Sequence, residues 1–240
     1  MPKRRAKQNH ATDPIRIQRN QAQPCSVVGC QNPRTGVSSL CRPHHKTRAA
    51  YGHPSGRNLS AAEKERYEPM IRVFLQCHAE NPGVVAAKEF LADLIRVPRW
   101  YSSHPVVNEE LAELAQTHPD IDKLLVRLAS VWCLSRFEPG TLPDDDRLTF
   151  ALARVVFFHR RRGSVRYWSH KHQKVITGGR PLKQRTSAMR ALGRVIRKHL
   201  GLFLEGLVKA AMEKLHQDQA RRKALREGLQ ESQKRPLESL

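Results

Sequence analysis

The chain has 240 residues, enough to bury a core in one or two domains, and carries 43 Lys and Arg against 22 Asp and Glu, a formal net charge of +21. A surplus this large says little about fold but much about partners, because it draws polyanions and releases a condensed counterion for each phosphate neutralised. No run of 18 apolar residues is present, which excludes a membrane-crossing helix, and the first 23 residues lack an apolar leader, so the expected setting is a reducing cytoplasm, nucleoid-associated in a bacterium.

Residues 1–23 have neither periodicity nor aromatics and read as a disordered basic arm. Residues 24–58 hold the most specific chemistry: Cys25-Ser-Val-Val-Gly-Cys30, then Leu40-Cys41-Arg-Pro-His44-His45. The spacing is C-x4-C, ten residues, then C-x2-H, two close ligand pairs flanking a short loop, which can close a tetrahedron around Zn²⁺. Cys25, Cys30, Cys41 and His44 are the expected ligands; His45 remains the alternative fourth. Apolar residues here are few, so a metal must substitute for a core. Four protein ligands leave no position for water, which makes the zinc structural. Reduced cysteines packed in a small cluster are the alternative.

Gly29-Cys30, Leu40-Cys41-Arg42-Pro43-His44 and Tyr51-Gly52-His53-Pro54 together resemble the small zinc-knuckle module associated with HNH-type endonucleases and other phage or mobile-element proteins. The resemblance covers about residues 25–57 and implies a knuckle or treble-clef-like module that binds nucleic acid. It does not carry over catalysis, because only His104, Asn108 and His118 stand downstream where an HNH site needs a His-rich hairpin followed by Asn and His on a helix.

Residues 59–162 read as an acidic-to-neutral helical core. Up to Asp146 this stretch holds 9 Lys and Arg against 15 acids, whereas residues 1–58 hold 11 against one. Ser60-Ala-Ala-Glu63 is a capping box ahead of a helix with Tyr67, Ile71, Phe74, Leu75 and His78 on one stripe, stopped by Asn81-Pro82-Gly83. A second helix runs from Val84 to Arg96; Asn108 caps a short third, and Pro119 starts a fourth carrying Leu124, Leu125, Leu128, Val131 and Trp132. Cys77 and Cys133 fall within helices as buried, inert thiols. Asp144-Asp145-Asp146 and Arg160-Arg161-Arg162-Gly163 mark the two ends of a further helix, acids at its positive pole and bases at its negative one.

Residues 147–204 hold 15 Lys and Arg and no acid. Residues 163–181 are expected as a basic loop, 182–230 as a basic helical region and 231–240 as a flexible tail. Within them, Arg166, Tyr167, Trp168 and Lys171 place aromatics among cations, a pattern that stacks on bases while holding the backbone. Anchoring of Tyr167 and Trp168 on the core is the plainer alternative. Arg180, Lys183 and Arg185 lead into a helix on which Arg190, Arg194, Arg197 and Lys198 recur at helical spacing, opposite Leu192, Val195, Ile196 and Leu200. With Arg160, Arg161 and Arg162, these are the expected nucleic-acid contacts.

The fold expectation is a mainly α protein: a zinc-stapled module, a multi-helix bundle and a long basic C-terminal helical region. The functional expectation is a non-catalytic DNA-binding accessory or regulatory protein of a phage, plasmid or transposon, with a protein partner at the acidic middle. An RNA-binding or ribosome-associated factor is the first alternative, and a divergent nuclease or recombinase subunit the second.

Overall fold

The structure is a computed structural model that describes residues 14–142, 144–159, 164–169, 173–179 and 186–234. Among them, nine helices and one two-stranded hairpin form a predominantly helical architecture. Helix α1 (Pro14–Gln21) corrects the expected arm from Pro14 onward. Its Asn20 Nδ2 donates to the carbonyls of Gly36 and Ser38 at 2.9 and 2.7 Å, so one side chain satisfies two carbonyls of the Cys/His loop. Residues 1–13 lie outside the described residues.

Helix α2 (Arg42–Tyr51) starts directly after Cys41 and ends at Gly52, whose φ of +80° lets its N–H bond back to the Arg48 carbonyl. A Cβ on Gly52 would also stand 2.7 Å from the Phe150 ring. Glycine is therefore required both by the left-handed cap and by the contact that seats the Cys/His segment on the helical core.

The Ser60 box is present: Ser60 Oγ accepts from the Glu63 amide at 3.1 Å, and the Glu63 carboxylate accepts from the Ser60 amide at 2.8 Å. It opens only the short α3 (Ala61–Glu65). The single helix expected through His78 is split, because Pro69 has no N–H and its ring would strike the Glu65 carbonyl, so α4 (Glu68–Cys77) starts anew. The Asn81-Pro82-Gly83 stop is equally a start: Asn81 Oδ1 accepts from the Gly83 amide at 2.9 Å and opens α5 (Pro82–Arg96). A 3-10 turn at Pro98–Trp100 leads to α6 (Pro105–Ala115), capped at His104, with Asn108 inside the helix instead of at its cap. Pro105 fixes the first turn, so the helix starts four residues earlier than a cap at Asn108 would place it.

Helix α7 (Ile121–Phe137) is capped by Asp120, which accepts from the Lys123 amide at 2.9 Å. Every residue from Leu124 to Leu134 except Arg127 is buried, as befits a helix surrounded by α3, α4, α5, α8 and α9. Cys133 lies there, and burial pushes its thiol up to about 12, which makes it inert. Cys77, also expected buried, is exposed at the end of α4. Helix α8 (Asp145–Phe157) is capped by Asp144, which accepts from the Arg147 amide at 2.7 Å.

The segment expected as a basic loop over 163–181 instead contains an antiparallel hairpin. Strand β1 (Ser164–Ser169) pairs with β2 (Lys174–Gly179), in register from Ser164 opposite Gly179 to Ser169 opposite Lys174. Each strand is only six residues long and interrupted by charge, so no alternation stands out in the sequence; the ladder satisfies the backbone groups nonetheless. Helix α9 (Thr186–Lys234) then lays Ala188, Leu192, Ile196, Leu200, Leu204 and Ala211 on the core. A Cβ on Gly193 would stand 2.1 Å from the Thr149 carbonyl oxygen, so α8 and α9 meet backbone to backbone. Beyond Ala211 no described side chain of α9 is buried, and about 35 Å of helix continues past the core. Residues 231–234, expected in a flexible tail, are its last turn.

Candidate metal centre and nucleic-acid interface

The Cys/His segment converges on one point. One ligand atom each from Cys25, Cys30, Cys41 and His44 all lie within 4.8 Å of one another. Cys25 Sγ and Cys41 Sγ are each 3.3 Å from His44 Nδ1, and Cys30 Sγ is 3.9 Å from Cys41 Sγ. The edges of a tetrahedron with zinc–sulfur bonds near 2.3 Å and zinc–nitrogen bonds near 2.05 Å are about 3.8 Å between sulfurs and about 3.5 Å from sulfur to nitrogen. The site has the dimensions and donor set of a structural zinc centre. All three thiols are free of disulfides. The choice between the histidines is made by the helix: α2 begins at Arg42, which turns His44 inward in the first turn and leaves His45 exposed.

The local electrostatics favour thiolate at Cys25 and oppose it at Cys41. Burial pushes the Cys25 thiol up, but amide hydrogen bonds from Cys41 and Val27 and the His44 ring outweigh it, and the thiol is held at about 6. At Cys41 the His44 amide pulls down, yet burial and the neighbouring Cys25 and Cys30 together leave the thiol raised. Leu40 is buried against this cluster with Val27 beside it, an apolar patch too small to hold the segment without metal.

The basic residues fall into three groups. Arg160, Arg161, Arg162, Lys171, Arg180, Lys183 and Arg185 lie outside the described residues, while Arg166, Tyr167 and Trp168 are consecutive on β1. The α9 stripe divides. Arg197 reaches the Asp145 carboxylate at 2.8 Å and donates to Thr149 Oγ1 at 3.1 Å, and Arg190 stands 3.6 Å from the Asp146 carboxylate and over the Phe150 ring. These two arginines clamp α9 to the start of α8. Arg194 and Lys198 are exposed. The interhelical role of Arg190 and Arg197 carried no sequence signal, since Asp145 and Asp146 explain themselves as a helix start.

The three-aspartate run and the HNH-like positions His104, Asn108 and His118 do not assemble among the described residues. Asp144 is an N-cap, and Asp145 and Asp146 face arginines. His104 stands at the N-cap position of α6 without a side-chain cap and its Nε2 is 2.9 Å from Ser187 Oγ, Asn108 sits one turn into α6, and His118 follows the far end of that helix. No helix among the described residues is long and apolar enough to cross a membrane. Compared with protein-family models, curated proteins and solved structures, the chain matches none of them.

Proposed function

We propose that this chain is a zinc-containing, non-catalytic DNA-binding accessory or regulatory protein, of the kind carried by phages, plasmids and transposons, which grips phosphates through its two basic segments. The observation that carries the reading is the pairing of a Cys3His centre with a 58-residue stretch, 147–204, that holds 15 cations and no acid. Asp146 and Asp145 meet only Arg190 and Arg197 of these cations among the described ion pairs, and so dense a positive stretch draws a polyanion. The exposed Arg194 and Lys198 lie one helical turn apart on α9, as phosphate contacts along a backbone require. Duplex DNA is favoured because its major groove admits a helix, whereas the deep, narrow groove of A-form RNA does not. The zinc holds the module's fold and takes no part in chemistry. The acidic stretch 59–146 is then free to meet a protein partner.

RNA binding is the second reading. It is favoured by the Arg166-Tyr167-Trp168 run on β1 of a two-stranded hairpin, aromatics beside a cation on a strand. Crosslinking in the native cell followed by sequencing of the attached nucleic acid decides between the two. Recovery of DNA is expected; recovery of RNA alone would replace the first reading by the second.

A further inference from the structure

A cleft of about 470 Å³ opens between the segment from Arg57 to Glu65, α7 and α8, and shares no residue with the zinc ligands or with Arg194 and Lys198. Its volume is that of a small-molecule site. Leu59, Leu142, Phe150 and Phe158 give it an apolar wall, and the rest of its lining sets the cations Lys64, Arg147 and Arg154 beside the carboxylates of Glu65 and Glu68. Two further lining cations have carboxylates: Arg57 pairs with Glu63, and Arg127 stands 3.5 Å from Glu68. Arg147 does not.

Arg147 is only 8% exposed, and no described group accepts a hydrogen bond from its guanidinium. Asp144 attracts it without reaching ion-pair distance. Its guanidinium nitrogens are not among the side-chain atoms sealed from solvent without a partner, so they stay accessible to an anion that enters the cleft. At the neighbouring ammonium, burial, then Arg154 and Arg127, outweigh the pull of Glu63 and Glu65 and push the Lys64 value down. Arg154 is positioned by aromatic contacts, its guanidinium 5.3 Å from the Tyr51 ring centre and 4.8 Å from that of Phe158.

We propose that this cleft binds a nucleoside phosphate, the phosphate on Arg147 and Lys64 and the base along the wall of Leu142, Phe158 and Arg154. Inorganic phosphate would leave the apolar wall uncovered, and an uncharged aromatic would leave Arg147 without an acceptor. The assignment deepens the nucleic-acid reading and rests on it for the source of the ligand, which is the phosphorylated end of a bound strand in preference to a free nucleotide.

The test titrates the full zinc-loaded chain, by calorimetry, with adenosine and thymidine 5′-monophosphates, with inorganic phosphate, and with one single-stranded oligonucleotide carrying or lacking a 5′-phosphate. The nucleotides should bind below about 1 mM and about tenfold or more tighter than inorganic phosphate, and the 5′-phosphate should tighten the strand by about tenfold. Lys64→Met should weaken nucleotide binding about tenfold, and Arg147→Gln at least as much. Lys64 is half-buried, so its variant keeps the test decisive if Arg147→Gln does not fold. No nucleotide binding, or binding unchanged in Lys64→Met, overturns the site. Nucleotide binding without any gain from the strand's 5′-phosphate overturns the strand-end source. Duplex DNA is titrated alongside: duplex bound but no nucleotide bound sinks the cleft alone, and nucleotide bound without any nucleic acid bound sinks the nucleic-acid reading while the cleft stands.

Discussion

Replacing Cys41 by serine removes a sulfur 3.3 Å from His44 Nδ1 and 3.9 Å from Cys30 Sγ. Metal analysis should find about one Zn²⁺ per wild-type chain and none in Cys41→Ser, because three ligands cannot hold a segment whose folding depends on the metal. His45→Ala should keep its zinc, since His45 points to solvent. A second residue-scale expectation concerns pH. The Arg57 side chain, against burial and aided by the Ser60 amide and hydroxyl, lowers the Glu63 carboxylate from 4.5 to about 2. A folded value below the unfolded one gives stability that is complete above about 4.5 and lost as pH falls toward 2. Glu63→Gln should therefore lower the melting temperature at neutral pH, with the gap to wild type closing as the solution is acidified. A gap that stays constant down to the acid limit would show that the ion pair is not its origin.

At the scale of elements, the seam between α8 and α9 is the most sensitive. Gly193→Ala drives a methyl into the Thr149 carbonyl and should destabilise by about 1–3 kcal/mol or more in denaturant unfolding. Gly206→Ala is the internal contrast: nothing lies within 4 Å of a Cβ there, and the same substitution in the same helix should stabilise by about 0.4–1 kcal/mol. Equal effects at the two positions would mean that helix propensity, and not backbone contact, governs the seam. The same seam sorts the cationic stripe. Arg190→Glu sets a carboxylate beside Asp146 and should loosen the docking of α9, whereas Arg194→Glu with Lys198→Glu alters only exposed positions. The latter pair should weaken duplex binding across all sequences while leaving zinc content and helicity unchanged, the behaviour of contacts that position without specifying. Retained binding in that pair would move the interface off α9.

For the whole molecule, the uneven charge makes salt the governing variable. If the basic segments engage about six to ten phosphates, affinity for duplex DNA should fall by about 10³–10⁵ between 50 and 200 mM salt in fluorescence titrations. A flat response would mean that the basic half is not the binding surface, and would turn attention to the acidic stretch as a protein-binding region. With Mg²⁺, Mn²⁺ or Zn²⁺ supplied, supercoiled DNA and structured RNA should stay intact. Cleavage that co-purifies with the chain and vanishes in Asp144→Ala would establish an active centre in place of the helix cap that Asp144 forms.

The zinc ligands were legible in the sequence because metal binding is a matter of short spacing: Cys25 with Cys30 and Cys41 with His44 are each brought together by a few residues of loop or one turn of helix. The starts of α3 and α8 were legible for the same reason, since the Ser60 box and the Asp144 cap act over three residues. The break at Pro69 was written there too, but the apolar stripe running through it concealed two helices as one. The hairpin was not legible, because its strands are short and their stabilisation lies in pairing. Nor was the division of the cationic stripe. The bond from Arg197 to Thr149 joins residues 48 apart in sequence, and it exists only because Gly193 lets α8 and α9 touch in one register. Arg147 likewise read as one more cation of a basic stretch until α3, α7 and α8 closed around it. Spacing along the chain determined what could bind metal and where charge accumulates; which of those charges face solvent, a carboxylate or a cleft is decided by the packing of helices distant in sequence.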